Sequence, residues 1–206
     1  IMIAHGLQMQ LMGIRSVVED FSVITTGIFM SGYFMGYFLG SNTTPKLVQK
    51  VGHIRVFAAF ASLASLSALL AAVYVNPVMW TLSRFITGIS LVSCYIVTES
   101  WLNDRATNKN RGQLLSAYMI ILYSGLGIGM LLLNVSDPTN YEPFILVSVL
   151  LSLALVPILL TKRSAPKFKK IGTISVKELY AISPLGTVSS FCTGLIHSAF
   201  FSLMAV

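Results

Sequence analysis

Residues 45–57 read PKLVQKVGHIRVF, with Lys46, Lys50, His53 and Arg55 set around a single glycine, Gly52. Long apolar runs lie on both sides. A glycine among bases is a natural place for a chain to bend, because glycine enters positive φ without steric cost. The bases hold such a bend in water. A bilayer span needs about 20 predominantly apolar residues, and the flanking runs at 21–41 and 54–75 are that long. The stretch therefore reads as a polar turn between two membrane helices.

The remainder of the chain repeats this layout. Of 206 residues, 55% are hydrophobic and 10% charged, and the mean hydropathy is +0.79. Soluble domains carry about 25% charged residues, so the composition points to an all-α integral membrane protein. Further spans are predicted at 78–101, 113–134 and 143–161, with another at 184–206. Residues 1–14 are apolar but would reach only about 21 Å as a helix, short of a ~30 Å hydrocarbon core. They read as a partial first span whose start is missing, or as a re-entrant or interfacial segment.

Fourteen Lys and Arg against seven Asp and Glu give a net charge of +7. In a soluble protein this balance would raise nucleic acid as a partner. Here the placement of the bases argues for a membrane and against nucleic acid. Loop 42–55 holds Lys46, Lys50 and Arg55. Loop 102–112 holds Arg105, Lys109 and Arg111. Loop 162–183 holds Lys162, Arg163, Lys167, Lys169, Lys170 and Lys177. The alternate loops, 15–20, 76–77 and 135–142, carry Arg15 alone, against Glu19, Asp20, Asp137 and Glu142. The positive-inside rule makes the basic side cytoplasmic, and the N-terminal side with it. The 162–183 stretch, with Pro166 and an amphipathic SVKELYAI, reads as a basic cytoplasmic linker between two bundles.

Within the spans, small residues recur at four-residue spacing: Gly32, Gly36 and Gly40, then Gly125 and Gly129. Such spacing lets helix backbones approach closely in lipid. The span 78–101 carries Arg84, followed by Thr87, Ser90, Cys94 and Thr98 at steps of three and four, so they share a flank. An arginine at membrane depth usually faces a cavity or a partner; the alternative is snorkelling to the outer interface. His5 and Gln8 form a second polar pair, and Ser190, Thr193 and His197 a third. Histidine titrates near neutrality, so a proton-coupling role is open to His5 and His197. The two cysteines, Cys94 and Cys192, sit in apolar segments and suggest neither a disulfide nor a metal site. GLGIG at 125–129 lies mid-span with no strand before it, so it is not read as a nucleotide loop. No catalytic motif stands out, and neither an enzymatic activity nor a cofactor is expected.

These residues carry a resemblance. The turn at 45–57 is similar to the G-x-x-x-D-R-x-G-R-R motif that joins the second and third helices of major facilitator superfamily transporters. Aligned on Gly52, Pro45 replaces the first glycine, Gln49 the acid, Lys50 the first basic residue and His53 a later one. RFITG at 84–88 resembles the superfamily's R-x-x-x-G on the fourth helix, at Arg84 and Gly88. NRGQLLSAY resembles the start of its fifth helix, at Arg111 and Gly112. The antiporter signature G-x-x-x-G-P is incomplete, with Met130 in place of proline. GHIRVF and TESWLN look most like a YcaD-like bacterial branch. The resemblance spans the chain, from the end of a first helix through a seventh.

The resemblance implies a six-helix N-terminal bundle in residues 1–161, with its first helix truncated, then the linker and the first helix of a second bundle. The whole protein would be about twice as long. It also implies a cavity lined by the first, fourth and seventh helices, and a cytoplasmic gate built from Gln49, Lys50, Gly52, His53 and Arg55, with Glu99 as acidic partner. The expected function is secondary transport of a small solute, proton-coupled in one version, by a monomer in the bacterial inner membrane. The alternative is a receptor or assembly subunit on the same scaffold, in which the polar stripes are buried by packing.

Overall fold

The computed structural model describes residues 1–160 and 175–203. Its α-helices are α1 (Met2–Val18), α2 (Val23–Val51), α3 (His53–Val73), α4 (Pro77–Arg105), α5 (Arg111–Leu132), α6 (Glu142–Leu153), α7 (Leu155–Leu159), α8 (Val176–Ile182) and α9 (Pro184–Leu203), with a 3-10 turn at Leu133–Val135. Five segments are long and apolar enough to cross a membrane: Val23–Val51, His53–Val73, Pro77–Arg105, Arg111–Val135 and Glu142–Leu159. The chain is thus an all-helical membrane protein, since helices satisfy every backbone polar group within the segment.

Local chemistry sets several boundaries. Ser22 is the N-cap of α2 and accepts from the Thr25 amide. Asn76 caps α4 by accepting from the Val78 amide, and Pro77 opens the helix where no N–H is needed. In SVKELYAI, Ser175 and Glu178 form a reciprocal capping box that starts α8.

The turn at 45–57 is tighter than the sequence suggests. Residues 42–55 are not a loop: α2 continues to Val51 and α3 begins at His53. Gly52, at φ 87° and ψ 161°, is the single residue between them. Pro45 lies inside α2. It forfeits one backbone bond, to the Ser41 carbonyl, and the helix bridges it. The outer loop predicted at 15–20 is likewise mostly helical, because α1 runs to Val18. The span at 143–161 is interrupted at Ala154 and ends at Leu159. Pro157 has no N–H for the Leu153 carbonyl, which accounts for the break. Of the predicted linker, residues 176–182 are helical; Lys162, Arg163, Pro166, Lys167, Lys169 and Lys170 lie outside the described residues, as do the last three residues of the 184–206 span.

Helix α2 packs along α4, α1 along α5, and α3 against both α4 and α6. Glycine makes the first two pairings close. A Cβ at Gly36 would overlap the Phe85 carbonyl, and one at Gly88 the Tyr33 carbonyl. One at Gly32 would meet the Thr81 carbonyl at 2.9 Å, and one at Gly40 would run into Val92. In the α1–α5 seam, a Cβ at Gly129 would strike the Ile3 carbonyl, and one at Gly125 would sit 2.9 Å from Met2 Cβ. Hydroxyls join α3 to α6, where Ser65 Oγ lies 2.6 Å from Ser148 Oγ and 3.2 Å from Ser152 Oγ. Near the start of α4, Trp80 is fully buried, packs edge-on against Phe29 at 5.3 Å, and donates its indole N–H to the Ala71 carbonyl.

Candidate substrate cavity

The polar stripe of α4 is spent largely on packing. Thr87 Oγ donates to the Ser83 carbonyl at 2.9 Å and lies 2.8 Å from Ser67 Oγ of α3. Gln8 Nε2 of α1 donates to the same Thr87 oxygen at 3.5 Å. Ser83 Oγ in turn donates to the Ser67 carbonyl. Gln8, Thr87 and Ser90 are buried and line neither of the two cavities described below. Polar side chains at lipid depth need partners, and here three helices supply them to each other. The Ser90 hydroxyl has no partner among the described residues.

Arg84 is also displaced from the expected position. It is 1% exposed and lines neither cavity. Its guanidinium lies 5.6 Å from the centroid of the Tyr33 ring, and Nη2 is 3.1 Å from the Met30 sulfur. Nε and Nη1 have no hydrogen-bond partner among the described residues. The charge sits behind Tyr33, stabilised by a ring face and a polarisable sulfur. It does not snorkel to the interface. The His5 ring stacks on Tyr33 at 5.5 Å, and its Nδ1 is likewise unpartnered among the described residues.

A cavity of about 420 Å³ opens in front of this layer. His5, Tyr33, Tyr37, Tyr95, Glu99, Tyr118, Tyr123 and His197 supply its polar and aromatic lining. Glu99 lines this cavity, where it accepts from the Tyr118 hydroxyl at 3.3 Å. The tyrosines escaped the sequence reading. They follow the helix geometry: Tyr33 and Tyr37 each come one residue after a seam glycine, Gly32 and Gly36, so the face next to the α2–α4 contact presents their rings. Tyr95 and Glu99 repeat the four-residue step on α4.

A second cavity of about 720 Å³ adjoins the first and shares Met2, Tyr95, Tyr118 and Leu122 with it. Phe57, Leu102, Leu114, Ile121, Ile128 and Ile158 make it strongly apolar. Cys94 and Thr98 line it, although Cys94 is almost fully buried. The thiol lies 4.0 Å from the Phe57 carbonyl, and the Thr98 hydroxyl donates to the Cys94 carbonyl.

At the turn, Gln49, Lys50 and Arg55 are exposed, while His53 is buried with Nε2 3.0 Å from Ser100 Oγ. His53 with Ser100 is one of the contacts that tie this turn to α4.

Among the described residues, five apolar spans, two glycine seams and a tyrosine-lined cavity between helices define a polytopic membrane protein with an internal cavity. The chain matches the Major Facilitator Superfamily over residues 1–206 and belongs to that family. Proteins named "uncharacterized MFS-type transporter YcaD" are similar to it. That of Escherichia fergusonii is 26% identical over 182 residues, covering 86% of this chain and 47% of the relative. That of Escherichia coli O6:K15:H31 is 26% identical over 190 residues, covering 90% and 49%. An MFS-type transporter of Enterobacter sp. strain 638 is 30% identical over 146 residues, covering 70% and 38%. The chain spans about half the length of these relatives. No solved structure matches it.

Proposed function

We propose that this chain forms one bundle, and the first helix of a second, of a secondary active transporter that moves a small solute across the cytoplasmic membrane by alternating access. The observation that carries this reading is the tyrosine-lined cavity, to which α1, α2, α4, α5 and α9 all contribute. A site at the junction of several spans, including one beyond the 162–183 stretch, suits two bundles rocking about a central solute. His5 and His197 are the groups in the wall suited to exchange a proton. Arg84, held behind Tyr33, acts on the cavity through that ring and through His5 and sets its electrostatics. Gln49, Lys50, Gly52, His53 and Arg55 form the cytoplasmic gate. Its closure rests on the His53–Ser100 contact, since Gln49 cannot supply the charge of an acid.

The alternative, a receptor or assembly subunit, draws support from the α4 stripe, whose Thr87 is tied into packing. Uptake by the full-length protein in proteoliposomes separates the two. A transporter accumulates at least one solute from a broad charged and neutral panel above protein-free vesicles, and an imposed proton gradient changes the rate. Absence of uptake across the panel, with correctly inserted protein, overturns the transport reading.

A further inference from the structure

Building on the transport reading, we infer that the solute is an amphipathic organic cation, its charged centre held among Tyr37, Tyr95, Tyr118 and Tyr123 beside the Glu99 carboxylate, and its apolar part in the adjoining cleft. The argument starts from charge. Among the described residues, Glu99 is the only Asp, Glu, Lys or Arg side chain lining the smaller cavity, and none lines the larger. Glu99 is exposed and accepts a hydrogen bond from neutral Tyr118, and the only salt bridge among the described residues is Arg15 with Glu19. Among the described residues, the cavity thus presents a carboxylate with no Lys or Arg opposite it.

The second observation is the density of aromatic rings. A tyrosine face attracts a cation through its quadrupole, most strongly where water is excluded, and rings grouped around one point are how quaternary ammonium groups are bound. Tyr33 already serves Arg84 and His5. Tyr37, Tyr95, Tyr118 and Tyr123 remain on the lining. Arg84 is the nearby positive charge that would oppose a cation. It is buried, 5.6 Å from the centroid of the Tyr33 ring, and lines neither cavity, whereas Tyr33 lines the smaller one. An anionic solute, by contrast, would meet Glu99 directly and, among the described residues, find no Lys or Arg in the lining.

The third observation is shape. The two cavities share a wall, and the larger is apolar. A ligand occupying both carries a charged or charge-delocalised centre and a hydrophobic body. Their volumes lie within the range of about 300–1,000 Å³ usual for small-molecule sites.

A charge-reversed pair of nearly equal shape tests the sign of the ligand without any mutation. Purified full-length protein in detergent is equilibrated with radiolabelled tetraphenylphosphonium, and tetraphenylborate is the competitor. The expected result is saturable binding above empty micelles that unlabelled tetraphenylphosphonium displaces and tetraphenylborate does not. Glu99→Gln weakens that binding at least tenfold, and Tyr95→Leu weakens it several-fold. Size-exclusion profiles and melting temperatures establish that the variants are folded. Absence of saturable binding, displacement by tetraphenylborate as effective as by the cation, or unchanged affinity in folded Glu99→Gln overturns the inference. The two readings fail separately. Uptake of anionic or neutral solutes without cation binding leaves transport standing and removes the cation; cation binding with no uptake of any solute does the reverse.

Discussion

Arg84 concentrates the tension between stability and function in a single side chain. A buried guanidinium loses its hydration, and a ring face and a sulfur return only part of it, so retaining it is weak evidence of a stabilising role. Two of its nitrogens remain unpartnered among the described residues. Replacement by an unbranched apolar residue of similar length removes the desolvation cost and keeps the packing. Arg84→Met in the full-length protein is therefore expected to melt at or above the wild-type temperature. Its uptake rate falls at least about tenfold, equivalent to about 1.4 kcal/mol of lost differential binding. A melting temperature several degrees lower, with uptake reduced in proportion, would instead make Arg84 a structural residue. The sequence marks Arg84 as exceptional because any charge at membrane depth is exceptional. It does not reveal that Tyr33 lines the smaller cavity and Arg84 does not, since ring placement depends on how α2 meets α4.

At the scale of elements, the glycines decide which helices touch. Gly36 has no room for a Cβ, whereas nothing lies within 4 Å of one at Gly27 on the same helix. Gly36→Ala must push α2 off the Phe85 carbonyl or bend it, and overpacking of this kind costs about 1–3 kcal/mol. Gly27→Ala fills open space and gains helix propensity. Thermal unfolding in detergent is expected to show a clear drop for Gly36→Ala and no loss for Gly27→Ala; equal effects would dissolve the seam argument. This spacing was legible in one dimension because small residues every fourth position share a helix face. Helix extents were less so. Ser41, Asn42, Thr43 and Thr44 look like loop residues, yet α2 runs straight through them, since its backbone bonds do not require apolar side chains. The Ser41, Asn42 and Thr43 side chains bond back to the Phe38 and Leu39 carbonyls. Thr44 Oγ sits 2.7 Å from Ser93 Oγ on α4. Polar side chains there extend the helix beyond the span instead of ending it. The cavity was hidden for the opposite reason. Tyrosines in a span resemble core residues until the fold shows which of them face empty space.

The whole molecule adds an argument about sidedness that no single helix provides. At 29 residues each, α2 and α4 are about 43 Å long, well beyond a ~30 Å hydrocarbon core. Their surplus projects at the end that carries Lys46, Lys50 and Arg105, and there His53 at the start of α3 bonds to Ser100 on α4. At the opposite end, Arg15 pairs with Glu19 at 2.6 Å and donates to the Pro138 carbonyl, tying α1 to the acidic connection between α5 and α6. There the Thr139 amide and hydroxyl both bond the Asp137 carboxylate and hold it below its ordinary range. One end is thus basic and helical, the other short and acidic. By the positive-inside rule, the basic end is the one expected in the cytoplasm. Full-length protein with every native cysteine, Cys94 and Cys192 among them, replaced by alanine, and with single cysteines at the exposed positions Lys50, Lys109 or Asn140, tests this in whole cells. A membrane-impermeant maleimide is expected to label position 140 in intact cells, and positions 50 and 109 only after lysis. The reverse pattern would invert the protein and put the His53–Ser100 contact outside. Labelling of all three in intact cells would break the alternation of the spans themselves.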